Sequence, residues 1–181
     1  MRIEIVSGSP RQESVTYRLA LHLKQVLQAQ TTHTINIIDV RQYNLMPMQE
    51  QVYKSAEDTP AAYKPLAERM FAANAFIIVS PEYNGSYTAA MKNLFDHFPK
   101  QSHKPFGIVT ASPGMLGGVR AAMQLQQFIC ALFGIPSPYM LVTPQVDKKF
   151  SPEGDLLDPG FKKAIDVFVK EYLWLADAVV D

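Results

Sequence analysis

At 181 residues with one cysteine, Cys130, the chain has the length of one domain, residues 1–181, and cannot build a disulfide framework or a paired-cysteine zinc or redox centre. Lysine plus arginine and aspartate plus glutamate both number 17, and the resulting zero net charge argues against nucleic acid or an anionic membrane surface as the main partner, since each requires a basic excess. Met1 leads directly into a strand-like segment without a basic and then apolar leader, and no apolar run of about eighteen residues occurs, so a soluble, cytoplasmic protein is expected.

Taken in order, apolar segments alternate with helical patterns, the signature of a parallel sheet covered on both faces. The first strand is expected over Arg2–Val6 and the first helix over Ser14–Gln30, with Leu19, Leu23, Val26 and Leu27 forming its inward stripe. The β-branched run in Thr34–Asp39 reads as a second strand. The pattern then lapses from Val40 to Pro60, a length that points to a functional or mobile loop or to a short helix without a visible pattern. A second helix follows over Ala61–Ala73, facing Leu66, Met70 and Phe71 inward, and then the clearest strand, Ala75–Ser80, stopped by Pro81. The remaining elements are a helix over Thr88–His97, a strand over Pro105–Thr110, a long helix ending near Phe133 at Gly134-Ile135-Pro136, a fifth strand over Tyr139–Thr143, and a last helix over Phe161–Val179 that buries Phe161, Ile165, Phe168 and Tyr172.

Three strand-to-helix turns stand out. The first, Ser7-Gly8-Ser9-Pro10-Arg11-Gln12-Glu13-Ser14, is rich in hydroxyls and opens a helix. Unpaired N–H groups and the dipole at a helix start favour an anion, and Ser9, Ser14 and Arg11 add donors suited to a phosphate. The simpler role for Ser14 is an N-cap. The second turn is Pro81-Glu82-Tyr83-Asn84-Gly85-Ser86 and the third runs from Ala111 to Gly118. Right-handed crossovers place all three on one rim. Five strands in the order 2-1-3-4-5 put the ligand crevice between strands one and three, with the first two turns facing each other across it.

Several nucleotide sites are excluded. There is no Gly-x-x-x-x-Gly-Lys-Ser/Thr loop, no Gly-x-Gly-x-x-Gly after the first strand, and no cysteine in the first turn. A monophosphate carried on a flat aromatic ring fits the turns better.

The sequence resembles the NADPH-dependent FMN reductases, a family that includes NAD(P)H quinone, azo-dye and chromate reductases. Gly8-Ser9-Pro10-Arg11-Gln12-Glu13-Ser14 matches its Gly-Ser-x-Arg-x-x-Ser turn, and Pro81-Glu82-Tyr83-Asn84 its Pro-Glu-Tyr-Asn turn, continued by Lys92-Asn93 and Asp96. Ser112, Gly114, Gly117, Gly118 and Arg120 resemble the third turn. The likeness runs from Met1 to about Ser137, and departs at Thr16, where members often carry asparagine.

The resemblance implies a flavodoxin-like α/β sandwich of three layers that binds FMN and takes electrons from NADPH or NADH, passing them to quinones, flavins or similar acceptors. It implies that Ser9, Arg11, Ser14 and Thr16 hold the phosphate, that Pro81, Glu82, Tyr83 and Asn84 line the isoalloxazine, and that Ser112 and Gly114 flank its other edge; the Asn84-Gly85 turn is suited to present backbone N–H groups to the ring, with Gly85 allowing close approach. It also implies a homodimer or homotetramer, for which the third helix and the Val40–Pro60 loop are the candidate contacts. The alternatives are a flavodoxin-like electron carrier, disfavoured by the neutral charge, and a flavin-binding sensor.

No acid–base side chain is assigned, because the chemistry lies on the flavin. Glu82 fits a general acid less well than a solvated or hydrogen-bonded carboxylate, and Tyr83 reads as a ring-packing residue. His97 reads as a complement to the helix dipole and Cys130 as a small core residue. The histidines lack metal-ligand spacing, so no metal is expected. Arg11, Arg18 and Arg120 are the cations available to a 2′-phosphate.

Overall fold

The computed structural model describes residues 1–48 and 52–180. Its strands are β1 (Arg2–Ser7), β2 (Thr34–Asp39), β3 (Ala75–Pro81), β4 (Pro105–Ser112), β5 (Ile135–Pro136) and β6 (Leu141–Pro144). Its helices are α1 (Val15–Gln30), α2 (Lys64–Ala72), α3 (Ala89–Asp96), α4 (Val119–Ala131) and α5 (Lys162–Val179). Every strand pairing is parallel, in the order β2-β1-β3-β4-β5, with β6 also on β4. Among the described residues, no helix is long and apolar enough to cross a membrane.

The central strands β1, β3 and β4 are buried almost throughout, as a sheet covered on both faces requires. One face packs α1 and α5 through Leu19, Leu23, Leu27, Ile165, Phe168 and Tyr172. The other packs α2, α3 and α4 through Leu66, Met70, Met91, Leu94, Leu125 and Ile129. Phe76 stacks on Phe106 at 5.1 Å and meets Phe95 edge-on at 5.8 Å, offset and T-shaped arrangements that add about 0.5–1.5 kcal/mol per pair beyond area burial.

The expected fifth strand, Tyr139–Thr143, is β6, and a further two-residue strand, β5, forms at Ile135–Pro136, where the sequence reads as a helix stop. Ile135–Pro136 pairs with Pro105 and Phe106, and Leu141–Pro144 with Val109–Ser112. Pro136 and Pro138 supply no N–H, so the edge ladder cannot run through them. The Ala61–Tyr63 stretch is a 3-10 turn, and the α-helix starts at Lys64 with Pro65 in its first turn. Val26, Phe71 and Phe161 are half-buried rather than core. Cys130 is exposed, because α4 turns Ala121, Ala122, Leu125, Phe128 and Ile129 inward and the next position lies about 100° further round the helix.

The Val40–Pro60 loop, of which residues 49–51 lie outside the described residues, opens with a 3-10 turn at Val40–Gln42. Asn93 of α3 holds it, donating from Nδ2 to the carbonyls of Leu45 and Met46 and accepting at Oδ1 from the Met48 N–H. The Tyr53 N–H donates to the His97 carbonyl at 2.9 Å.

Tyr172 is fully buried, stacked on Phe168, with a hydroxyl that has no partner among the described residues. Burial pushes that hydroxyl well above its ordinary pKa. An unsatisfied buried hydroxyl costs about 1–3 kcal/mol of desolvation, so Tyr172→Phe is expected to raise stability by about 1 kcal/mol or more, read as a higher urea midpoint at unchanged slope. A lower midpoint would show that the hydroxyl is satisfied after all.

Candidate functional site

At the C-terminal ends of β1, β3 and β4 lies a cleft of about 200 Å³, lined by Ser9, Arg11, Glu13, Ser14, Val15, Thr16, Pro81, Glu82, Tyr83, Ala111, Ser112 and Pro113. The three turns singled out in the sequence therefore meet at one place. It is the switch point of the sheet, where the chain order reverses between β1 and β3. A larger groove of about 690 Å³ follows the edge of β2 between α1 and α2. Its central charges, Glu4 and Arg69, neutralise each other, and it lies off the C-terminal strand ends, so the smaller cleft is the candidate site.

The first turn is a set of donors around an empty-handed helix start. Ser14 is the N-cap of α1, its Oγ accepting from the Tyr17 N–H at 3.2 Å, and it lines the cleft as well, so its two readings are compatible. The hydroxyls of Ser9 and Thr16 sit on residues only 2% and 3% exposed and have no partner among the described residues. The N–H groups of Val15 and Thr16, in the first helical turn, have none within the helix. The Arg11 guanidinium lies 5.2 Å over the Tyr83 ring, linking the first turn to the second, and forms no ion pair among the described residues.

The second turn is a two-residue hairpin. Tyr83 and Ser86 exchange N–H···O bonds of 2.8 and 3.1 Å, while Asn84 (φ 51°) and Gly85 (φ 81°) occupy the left-handed region. That is the Asn-Gly type I′ geometry. It leaves the N–H groups of Asn84 and Gly85 outside the hairpin pair and free to donate. Neither residue lines the cleft wall, which is made by Pro81, Glu82 and Tyr83. Glu82 accepts from the Arg120 N–H at 3.2 Å and pairs with its Nη1 at 3.3 Å, so it is a structural carboxylate at the start of α4, where the helix dipole favours it.

Two anchors of these turns escaped the sequence reading. Thr88, the N-cap of α3, accepts from the Met91 N–H and donates to the Gly8 carbonyl at 2.5 Å, tying the first turn to the second. Its signal was a threonine immediately before a helical run. Gln145, in the left-handed region after β6, donates its N–H to the Gly114 carbonyl.

In the third turn Ser112 Oγ accepts from the Gly114 N–H at 3.0 Å. Ser112 reaches the cleft and Gly114, which is exposed, does not. Gly117 (φ 60°) passes so close to β6 that a Cβ there would stand 2.7 Å from the Pro144 nitrogen. Of the three candidate cations, Arg18 lies away from the cleft and donates to the Phe150 carbonyl, Arg11 lines the cleft, and Arg120 pairs with Glu82 of its wall. His97, at the end of α3, bonds the Asn93 carbonyl through Nδ1 at 2.7 Å.

The family described as NADPH-dependent FMN reductase matches residues 1–146. The chain is 28% identical over 169 residues to the quinone reductase of Escherichia coli (strain K12), covering 88% of this chain and 87% of that one. It is 28% identical over 174 residues to the FMN-dependent NADPH-azoreductase of Staphylococcus aureus (strain USA300), covering 92% and 90%. In fold it resembles FerB, a flavoenzyme NAD(P)H:(acceptor) oxidoreductase from Paracoccus denitrificans, with a TM-score of 0.78, 19% identity and 98% of each chain covered.

Proposed function

The chain belongs to the NADPH-dependent FMN reductase family, and on that premise we propose that it is an FMN-dependent NAD(P)H oxidoreductase acting on quinones, flavins and similar small acceptors. The observation that carries this reading is the meeting of the three turns in one cleft at the switch point. The donor set fits the cofactor: unpaired hydroxyls on Ser9 and Thr16, open N–H groups at the start of α1 and a free guanidinium on Arg11 suit a phosphate monoester, and the Tyr83–Ser86 hairpin forms a shelf for a flat ring. Bound there, FMN would supply the two-electron chemistry that links NAD(P)H to the acceptor.

This chain's own residues then bind and orient. Ser9, Arg11, Ser14 and Thr16 hold the phosphate, and Pro81, Glu82 and Tyr83 wall the ring on one side with Ser112 on the other. The Asn84 and Gly85 N–H groups stand ready for the ring's polar edge, where donors stabilise the negative charge of the reduced state. Gly114 acts from outside, by holding the Ser112 hydroxyl. No side chain here moves a proton, since Glu82 is taken by Arg120 and Tyr83 carries Arg11.

In this reading residues 1–181 form a single FMN-binding domain. A cytoplasmic location follows the donor, a metabolite of the cell interior. A second copy docks against α3 and the loop pinned to it, where Met46 and Met48 are exposed beside Asn93; a homodimer is the simplest such assembly and a homotetramer a further step.

The test is a spectrum and a turnover assay on the purified protein. A yellow protein that oxidises NADPH or NADH in the presence of a benzoquinone is expected. Yellow protein without turnover would favour the electron carrier or sensor, and colourless protein indifferent to added FMN would overturn the reading.

A further inference from the structure

Arg41 follows β2 and belongs to none of the three turns, yet its side chain reaches the first of them. Nη1 donates to the Gln12 carbonyl at 2.7 Å. The rest of the guanidinium is fixed: Nε bonds both Asp39 oxygens at 2.9 Å, Nη2 bonds Asp39 Oδ2 at 2.5 Å, and Cζ lies over the Tyr17 ring, 4.4 Å from its centre. Asp39 is itself 3% exposed and accepts the Arg41 N–H. The stretch from Pro10 to Glu13 is exposed, and among the described residues the Arg41 bond is the only hydrogen bond to it.

We propose that Arg41 is a positioning residue for the phosphate end of the cleft: by holding the Gln12 carbonyl outward it turns the Glu13 N–H inward, toward the bound anion. In a trans peptide the C=O and the following N–H point in opposite directions, and no peptide among the described residues is cis. Glu13 lines the cleft and Gln12 does not. Asp39 cancels the Arg41 charge, so the effect is geometric rather than a long-range attraction. The proposal rests on the reading of the first turn as a phosphate site.

The test compares FMN with riboflavin, which lacks the phosphate, in fluorescence titrations of flavin-stripped protein. The variants are Asp39→Asn/Arg41→Met, which leaves no buried carboxylate unpaired, and Arg41→Lys, which keeps the charge but cannot fork. Both are expected to weaken FMN binding about tenfold, the effect of one misaimed charge-assisted donor, with riboflavin unchanged. A wild-type preference for FMN retained in the double variant, a parallel loss of both flavins, or full rescue by lysine would overturn the proposal. Wild-type protein that fails to prefer FMN would overturn the phosphate reading itself, before any variant is compared.

Discussion

Arg11→Ala is expected to weaken FMN binding about 10- to 100-fold and to leave riboflavin binding near wild type. Arg11 forms no ion pair among the described residues, and it stands at the cleft with its guanidinium carbon 5.2 Å from the centre of the Tyr83 ring. That cation–π contact orients the guanidinium in advance, which reduces the ordering cost of engaging an anion. A charge-assisted bond to phosphate is worth more than a neutral one, and a planar fork matches two phosphate oxygens at once. Arg11→Lys should therefore recover part of the affinity, because it restores a charge without the fork. Titration of both flavins separates the outcomes: equal losses for FMN and riboflavin would place Arg11 at the ring rather than the phosphate, and no loss would remove it from the site. The parallel with Arg41 is informative, since Arg11 acts by its charge and Arg41 through the backbone it holds. Lysine should help at the first position and fail at the second.

Arg69→Met is expected to destabilise the fold by about 3–5 kcal/mol, the cost of leaving one member of a buried ion pair without its partner. Glu4 interrupts the apolar run of β1 and is 2% exposed. Its carboxylate accepts from Arg69 Nη2 at 2.5 Å and Nε at 3.3 Å, and from Asn36 Nδ2 at 3.3 Å. Without the guanidinium, the Asn36 amide is the one side-chain donor that remains to it. The penalty is a large share of the roughly 5–15 kcal/mol by which such domains are stable. The double variant Glu4→Gln/Arg69→Met should regain most of the loss, because it replaces the stranded charge with a neutral amide that Asn36 can still meet. Urea unfolding of the three proteins measures both effects. If Arg69→Met and the double variant were equally unstable, the loss would stem from the packing of the arginine stem rather than from the uncompensated carboxylate.

The elements that position the site were legible because their signals are local. A continuous apolar run marked β3 and largely apolar segments marked β1 and β4, a three- and four-residue stripe marked α1, and Asn84-Gly85 announced a turn whose positive φ values the structure shows. The broken edge was less legible. Ile135–Pro136 reads equally as a helix stop, and a two-residue strand has no periodicity to detect. Cys130 was misplaced because apolar neighbours on either side say nothing of helical phase when the core stripe of α4 is as wide as this one.

Sequence by itself determined the alternation of strands and helices, the single rim on which three serine-, proline- and glycine-bearing turns fall, and the donor character of the first turn, since each depends on neighbours a few residues apart. The tertiary structure alone decided which polar groups are spoken for. Glu82 and Arg120 pair across 38 positions, Arg41 reaches back 29 to Gln12, and Glu4 meets Arg69 across 65. A carboxylate or guanidinium has the same letter whether free or engaged, and only the packing of distant segments sets its partner, leaving Arg11 open at the cleft while Arg41 is locked beside it.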